Sequence, residues 1–158
     1  MQKITPFLWF DNQAEEAMNF YVSIFKNSRV GDIVRYGDTC PGPKGQVMTA
    51  DFVIAGQQFI GLNAGPQFKF TEAISFFVDC KTQEEVDELW NKLISDGGEE
   101  SMCGWLKDKY GLSWQIIPSA LGEMMGDKDP EKAQRVVQAM LKMNKIIIAD
   151  LKQAYDGK

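Results

Sequence analysis

Residues 7–25 read FLWFDNQAEEAMNFYVSIF, a short apolar run followed by a pattern that favours a helix. The first four residues have the aromatic and aliphatic character of a strand. Asn12 and Glu15 follow at the spacing of a capping box. The apolar positions beyond them fall three and four residues apart, on one side of a helix: Ala17, Phe20, Tyr21, Ile24 and Phe25. The stretch therefore predicts a strand that leads directly into an amphipathic helix.

The same pattern returns further along the chain. Val86 begins a second five-point apolar stripe 86 − 17 = 69 residues after Ala17. Thr82 and Glu85 supply a second capping box, and the run 76–79 supplies a second preceding strand. Each helix is followed by segments that read as three strands. In the first copy the step Ala55–Gly56 predicts a tight hairpin between the last two.

Each copy therefore has the order strand, helix, three strands, written βαβββ. We expect one domain, 1–158, with module one at 1–66, module two at 70–118 and a C-terminal helical extension at 119–158. Two such modules predict an α+β fold with a curved mixed sheet around a cavity. In the extension, Asp129–Pro130 reads as an N-cap followed by proline at the first helical position. We expect this extension to pack on the sheet edge or on a partner subunit.

Composition excludes several classes of function. The 158 residues include 17 basic and 22 acidic side chains and no histidine, so the net charge is −5 and imidazole chemistry is excluded. The sequence has no cluster of basic residues of the kind that binds nucleic acid, and no apolar run is long enough to cross a membrane. Cys40, Cys80 and Cys103 form no C-x-x-C pair, which favours a reducing cytoplasm.

The motifs together resemble a known family. The segment 4–21, which contains Pro6-Phe7-Leu8-Trp9-Phe10-Asp11 and Phe20-Tyr21, is similar to the PhnB-like branch of the vicinal oxygen chelate superfamily. So are the segments 105–118 and 129–146. That branch is often labelled 3-demethylubiquinone-9 3-methyltransferase. The resemblance implies a glyoxalase/bleomycin resistance-like fold, and it specifies the family without specifying a reaction.

The resemblance also implies where a metal would bind. Superfamily enzymes carry their ligands on the first and last strands of each module, which here correspond to Pro6, Ile60, Ala73 or Ser75, and Gln115, within about one residue of register. Only Gln115 has a side chain suited to ligation, and a neutral amide is a weak ligand for zinc, nickel or iron. We therefore expect no metal and no cofactor. The glycine-rich strand-to-helix turn typical of methyltransferases is also not visible in the sequence.

Alternation along the strands predicts which side chains line the cavity. The expected lining is mostly apolar with a few polar groups, and it suits a small hydrophobic or aromatic ligand: Pro6, Leu8, Phe10, Ser75, Phe77 and Gln115, with Trp105 at the mouth. Two alternatives stay open here. Gln115 is equally well explained as a structural amide, and aromatic residues at strand spacing are common in cores.

Two classes of function remain. The first is a binding protein for a small apolar or aromatic molecule, and it is slightly favoured because no acid, base, nucleophile or metal set converges in the sequence. The second is a metal-independent or diverged superfamily enzyme, such as a methyltransferase, a lyase or a dioxygenase-like protein. No catalytic residue can be assigned, and whether the protein is an enzyme stays open. The resemblance and the apolar extension lead us to expect a homodimer.

Overall fold

The computed structural model describes residues 2–158 and divides the chain into two compact units, one ending at Phe70 and the other beginning at Thr71. Each unit contains a four-stranded mixed sheet and a helix that follows its first strand. The second unit also contains the C-terminal extension. Within residues 2–158, no helix is long and apolar enough to cross a membrane.

The first unit is one βαβββ module. Its elements are β1 (Phe7–Phe10), α1 (Ala14–Ile24), β2 (Arg29–Arg35), β3 (Val47–Ile54) and β4 (Gln57–Asn63). The strand order is β1-β4-β3-β2, with β1 and β4 parallel and the other pairs antiparallel. Ala55 and Gly56, at φ 49° and 81°, form the two-residue hairpin between β3 and β4. The predicted hairpin is therefore present.

The second unit repeats the module and then adds three helices. Its elements are β5 (Ser75–Cys80), α2 (Gln83–Leu93), β6 (Glu99–Glu100), β7 (Trp105–Lys107), β8 (Ser113–Pro118), α3 (Ser119–Met125), α4 (Pro130–Met140) and α5 (Ile148–Asp156). The strand order β5-β8-β7-β6 is that of the first unit. The helices of the two modules begin 83 − 14 = 69 residues apart. This confirms the α+β fold of two βαβββ modules followed by C-terminal helices.

The two module helices are capped differently. Thr82 caps α2 as predicted, because its hydroxyl accepts from the Glu85 amide at 3.1 Å. The prediction for α1 was wrong in both position and partner. That helix begins at Ala14, and its N-cap residue Gln13 makes no side-chain capping bond. Its first amide instead donates to Asn63 Oδ1 at 2.8 Å, so a residue at the end of β4 supplies the cap.

The apolar stripes of both helices cover one face of their own sheet. In α1, Ala17 and Tyr21 are fully buried, and the Tyr21 ring stacks on Phe52 of β3 with centroids 6.1 Å apart. In α2, Val86 and Leu93 are fully buried. Each large apolar side chain removed from water in this way contributes about 1.5–3 kcal/mol. These contacts leave the opposite face of each sheet uncovered by its module helix.

The C-terminal extension packs on its own unit. Asp129 caps α4 as predicted, accepting from the Glu131 amide at 3.0 Å. Around the extension the buried apolar residues form one cluster: Ile117, Leu121, Val136, Ile146 and Leu151. Backbone hydrogen bonds from Cys103 to Met143 (2.8 Å) and from Gly104 to Asn144 (2.7 Å) attach it beside β7. It therefore closes one end of the second sheet.

Candidate functional site

Three side chains form a row across the open face of the second sheet. Trp105 of β7 pairs with Gln115 of β8, and Gln115 pairs with Phe77 of β5, so the three lie side by side on one face. Phe77 is 60% exposed, while Trp105 and Gln115 are half-buried. The structure thus brings together an amide flanked by two aromatic side chains.

The orientation of this row follows from the residue beside Gln115. Trp114 is buried on the opposite face, where α2 packs over β8, and its ring lies 5.5 Å from that of Phe76. Alternation then turns Gln115 to the open face. Gln115 Nε2 donates to Ser75 Oγ at 2.9 Å, so its hydrogen-bond partner is a neighbouring side chain of the same predicted set.

A second row of polar side chains lies next to the first. It consists of Lys107, Ser113 and Ser75, which pair across the same three strands. Lys107 forms an ion pair with Glu72, and that hydrogen bond is the main cause that lowers the pKa of Glu72 and raises the pKa of Lys107. Ser113 Oγ is buried and has no hydrogen-bond partner among residues 2–158. The row therefore contains one buried hydroxyl group that makes no hydrogen bond within the described residues.

The first sheet does not present the side chains expected of it. Leu8 and Phe10 are only 5% and 3% exposed, and they lie on the face covered by α1. Their partners Gly61 and Asn63 show this: a Cβ at Gly61 would meet Ala14 of α1, and Asn63 caps that helix. Phe7 is on the open face and is 56% exposed. Alternation gave the correct period for β1 but the opposite phase.

The residues at the positions where superfamily enzymes bind their metal do not form a suitable metal site in this chain. The Pro6 carbonyl accepts from the Ile60 amide at 3.0 Å, and neither residue has a ligating side chain. Ala73 is apolar, and the Ser75 hydroxyl is bonded to Gln115. In the described part of the chain, no three His, Cys, Asp or Glu side chains are grouped to hold a metal ion. In this set Gln115 has the side chain best suited to ligation, and its amide is a weak ligand for a divalent transition metal.

The cysteines do not form a reactive pair. All three are free thiols. Cys80, at the end of β5, is completely buried, and removal from solvent is the main cause that raises its pKa to about 12, with Glu85 and Asp79 adding to the effect. A thiol of that pKa stays protonated at neutral pH, so Cys80 acts as a small core residue.

The comparisons with known proteins agree with this architecture. A family model described as 3-demethylubiquinone-9 3-methyltransferase matches residues 2–117. A PhnB protein from Bacillus cereus, which has the same methyltransferase label, is 43% identical over 75% of this chain and 100% of that one, with a TM-score of 0.68. A protein from Pseudomonas aeruginosa is 21% identical over 75% and 98%, with a TM-score of 0.62. The search of curated proteins found no match.

The fosfomycin resistance protein FosX from Listeria monocytogenes shares the fold at 16% identity, with 78% of this chain and 97% of that chain covered and a TM-score of 0.54. Fold and neighbours define a protein of the vicinal oxygen chelate superfamily. Within it, the chain belongs to the 3-demethylubiquinone-9 3-methyltransferase, or PhnB-like, family. The family match ends before α3, so the helical extension lies outside it.

Proposed function

We propose that the protein binds a small, largely apolar or aromatic molecule on the open face of the second sheet, without a catalytic metal. The observation that carries this proposal is the row of Trp105, Gln115 and Phe77, with Phe77 60% exposed beside a hydrogen-bonded amide. Binding is favoured when a ligand covers large aromatic side chains, because removing their apolar surface from water lowers the free energy. An exposed phenylalanine in a mixed row supports a binding face more than a core.

The polar groups of the face would orient such a ligand. Gln115 uses its Nε2 on Ser75, and its Oε1 has no partner among residues 2–158, so it can accept from a ligand hydroxyl or amine. Ser113 Oγ is a second group without a partner in the described chain, and a ligand or water that reached it would relieve the cost of a buried unpaired hydroxyl. An aromatic ring with one hydrogen-bonding substituent matches this lining.

The metal-free part of the proposal rests on donor chemistry. Proline, isoleucine and alanine side chains supply no ligand, and one amide with one hydroxyl already bonded to it makes a weak site for a divalent transition metal. Elemental analysis after titration with nickel, zinc and iron tests this part. We expect less than 0.1 equivalent of each metal to remain after gel filtration, on the order of adventitious binding. Stoichiometric metal that is lost in Gln115→Ala would overturn it.

A diverged enzyme is the alternative, and the methyltransferase label of the family and of the Bacillus cereus relative favours it. The two functions are separable by calorimetry with S-adenosylmethionine. A binding protein of the proposed type shows no heat of binding for this cofactor, whereas a methyltransferase binds it. Saturable binding of S-adenosylmethionine would replace the proposal with the alternative.

We also propose that the protein is a cytoplasmic homodimer. Exposed apolar side chains of the first unit such as Phe7 and Val34 support self-association, and three free thiols fit a reducing compartment. Sedimentation equilibrium between 1 and 100 μM, roughly the range that separates weak from stable dimers, measures the mass. The expected mass is 2 × 17.8 = 35.6 kDa. A mass of one chain throughout that range would contradict the dimer.

The binding proposal is tested with 1-naphthol as the probe, followed by quenching of tryptophan fluorescence. Phe77→Ala removes the exposed ring, and we expect it to weaken binding about tenfold, near the 1.4 kcal/mol that a lost aromatic contact represents. Leu141→Ala is the matched control, because Leu141 is 52% exposed on the extension and lies outside the row. Equal affinity of wild type and Phe77→Ala, or no saturable quenching at all, would refute the binding face.

A further inference from the structure

A concave site lies within the first unit and is lined by residues of that unit alone. It is a cavity of about 590 Å³ at the carboxyl ends of β1 and β4. The loop between β2 and β3 covers it from one side, and residues 63–67 cover it from another. A cavity of this volume is in the range of sites for small organic ligands.

The floor of the cavity is aromatic and has its polar groups already bonded. Tyr36 is buried, and its hydroxyl donates to the Asn63 carbonyl. Trp9 forms a wall, and its indole N–H donates to the Gly65 carbonyl at 2.9 Å. The Asn63 side chain accepts from the Ala14 amide at 2.8 Å and donates to the Val47 carbonyl at 3.1 Å. What these residues offer a ligand is therefore mainly ring surface.

The roof is a loop held closed at its base. The Tyr36 amide donates to the Gln46 carbonyl at 2.9 Å, and the Gly45 amide donates to the Tyr36 carbonyl at 2.8 Å. Lys44 pairs with Asp38 on the outer side of the loop at 2.5 Å, so its charge is compensated away from the cavity. Gly42 lies against the Tyr36 ring so closely that a Cβ there would clash with it.

One charge is found among the residues that line the cavity, the carboxylate of Asp11. Asp11 follows β1 at the mouth and is exposed, and its carboxylate has no partner among residues 2–158. The other polar residues around it, such as Asn12, Gln46 and Gln67, are neutral amides. Aromatic faces attract a cation through their negative π-surface, and a carboxylate adds to that attraction.

From this combination we infer that the cavity binds a small organic monocation, an ammonium group that carries a ring or a compact alkyl body. The charged group sits between the Asp11 carboxylate and the faces of Trp9 and Tyr36, and the body fills the space beneath the β2–β3 loop. This site is independent of the proposed function, because no residue of the row on the second sheet contributes to it.

The test uses benzyltrimethylammonium as the probe, with benzyl alcohol and benzoate as neutral and anionic ring controls. Binding is followed at the Trp9 indole N–H in a ¹⁵N correlation spectrum, assigned with Trp9→Phe. We expect the cation to shift this signal saturably and to bind at least about fivefold more tightly than either control, which corresponds to one exposed cation–π contact. Equal affinities for the three probes, or no saturable shift, would overturn the inference.

Two pairs of variants locate the binding. Asp11→Asn should remove the preference for the cation, whereas Asp32→Asn makes the same change of charge on the exposed strand β2 and should leave the affinity within about twofold. Gly42→Ala should weaken binding by displacing the loop, and Gly37→Ala should not, because a Cβ at Gly37 meets nothing within 4 Å. Retained preference in Asp11→Asn would show that the carboxylate does not recognise the ligand.

Discussion

Gln83 and Ile148 are joined by a hydrogen bond of 2.7 Å from the Ile148 amide to Gln83 Oε1. The same side chain donates from Nε2 to the Ile146 carbonyl at 3.0 Å. The side-chain amide of Gln83, at the start of α2, therefore binds the backbone just before α5 and at its first residue. Lys145 strengthens the attachment through an ion pair with Asp87, one turn further along α2, at 2.9 Å.

Replacing Gln83 with alanine should loosen the extension. We expect the free energy of unfolding to fall by about 1–3 kcal/mol, because two half-buried backbone groups lose their partner. Glu84→Ala, an exposed change in the same helical turn, is the control and should cost less than about 0.5 kcal/mol. Denaturant titration measures both, and hydrogen exchange at the Ile148 amide should rise only in the Gln83 variant. Equal exchange in both variants would contradict the attachment.

The cap of α1 gives a second prediction. Asn63→Ala should destabilise the protein by about 2 kcal/mol, because it leaves the Ala14 amide and the Val47 carbonyl without partners. Asn12→Ala removes the residue that the sequence pattern favours as the cap and should cost less than about 0.5 kcal/mol. Thermal and chemical unfolding compare the two. A larger loss of unfolding free energy in Asn12→Ala than in Asn63→Ala would show that Asn12 caps the helix.

The buried carboxylate of Asp108 gives a third prediction. It accepts from the Tyr110 and Leu112 amides at 2.9 and 3.1 Å and from Trp114 Nε1 at 2.9 Å. Asp108→Ala should cost at least about 3 kcal/mol, since three donors lose a charged acceptor. Asp32→Ala, on exposed β2, is the control for the loss of charge. A Trp114 fluorescence spectrum unchanged in Asp108→Ala, with normal stability, would show that the turn is held by other contacts.

Cys80 predicts a dependence on alkaline pH. Folding raises its pKa from 9.0 to about 12, so the folded state holds the thiol proton more tightly than the unfolded state. That contribution to stability is complete below pH 9 and is lost as the pH rises toward 12. From pH 8 to 10 the wild type should lose about 1 kcal/mol more than Cys80→Ala. Parallel stability curves for the two proteins would contradict the raised pKa.

The sequence predicted the parts of the fold that depend on near neighbours. The stripe of α2, its cap at Thr82 and the Ala55–Gly56 hairpin are local patterns, and all are present. Since the same local patterns recur at one offset, the repeated module could also be predicted. Alternation also predicted that Ser75, Phe77 and Gln115 share one face, and the pairing of β5 with β8 places them on one face.

The errors arose where the deciding partner is far along the chain. Alternation fixes the period of a strand and leaves its phase open, and β1 is apolar on both faces, so burial could not separate Phe7 from Leu8. The cavity of the first unit was missed because β1, β4 and the β2–β3 loop meet there only in the fold. Pro41, Gly42 and Pro43, in the loop that covers the cavity, are common in exposed loops and do not by themselves predict a site.

The two caps also differ in how much of the chain each one requires. The capping acceptor of α2 lies three residues from the amide it binds, so this cap requires no distant part of the chain. Asn63 is separated from Ala14 by 49 positions, so α1 must wait for the rest of its sheet. Local contacts form early and distant ones late. The two copies of one structural plan therefore differ in one respect: the cap of the second helix is local, and the cap of the first is available only once β4 is in place.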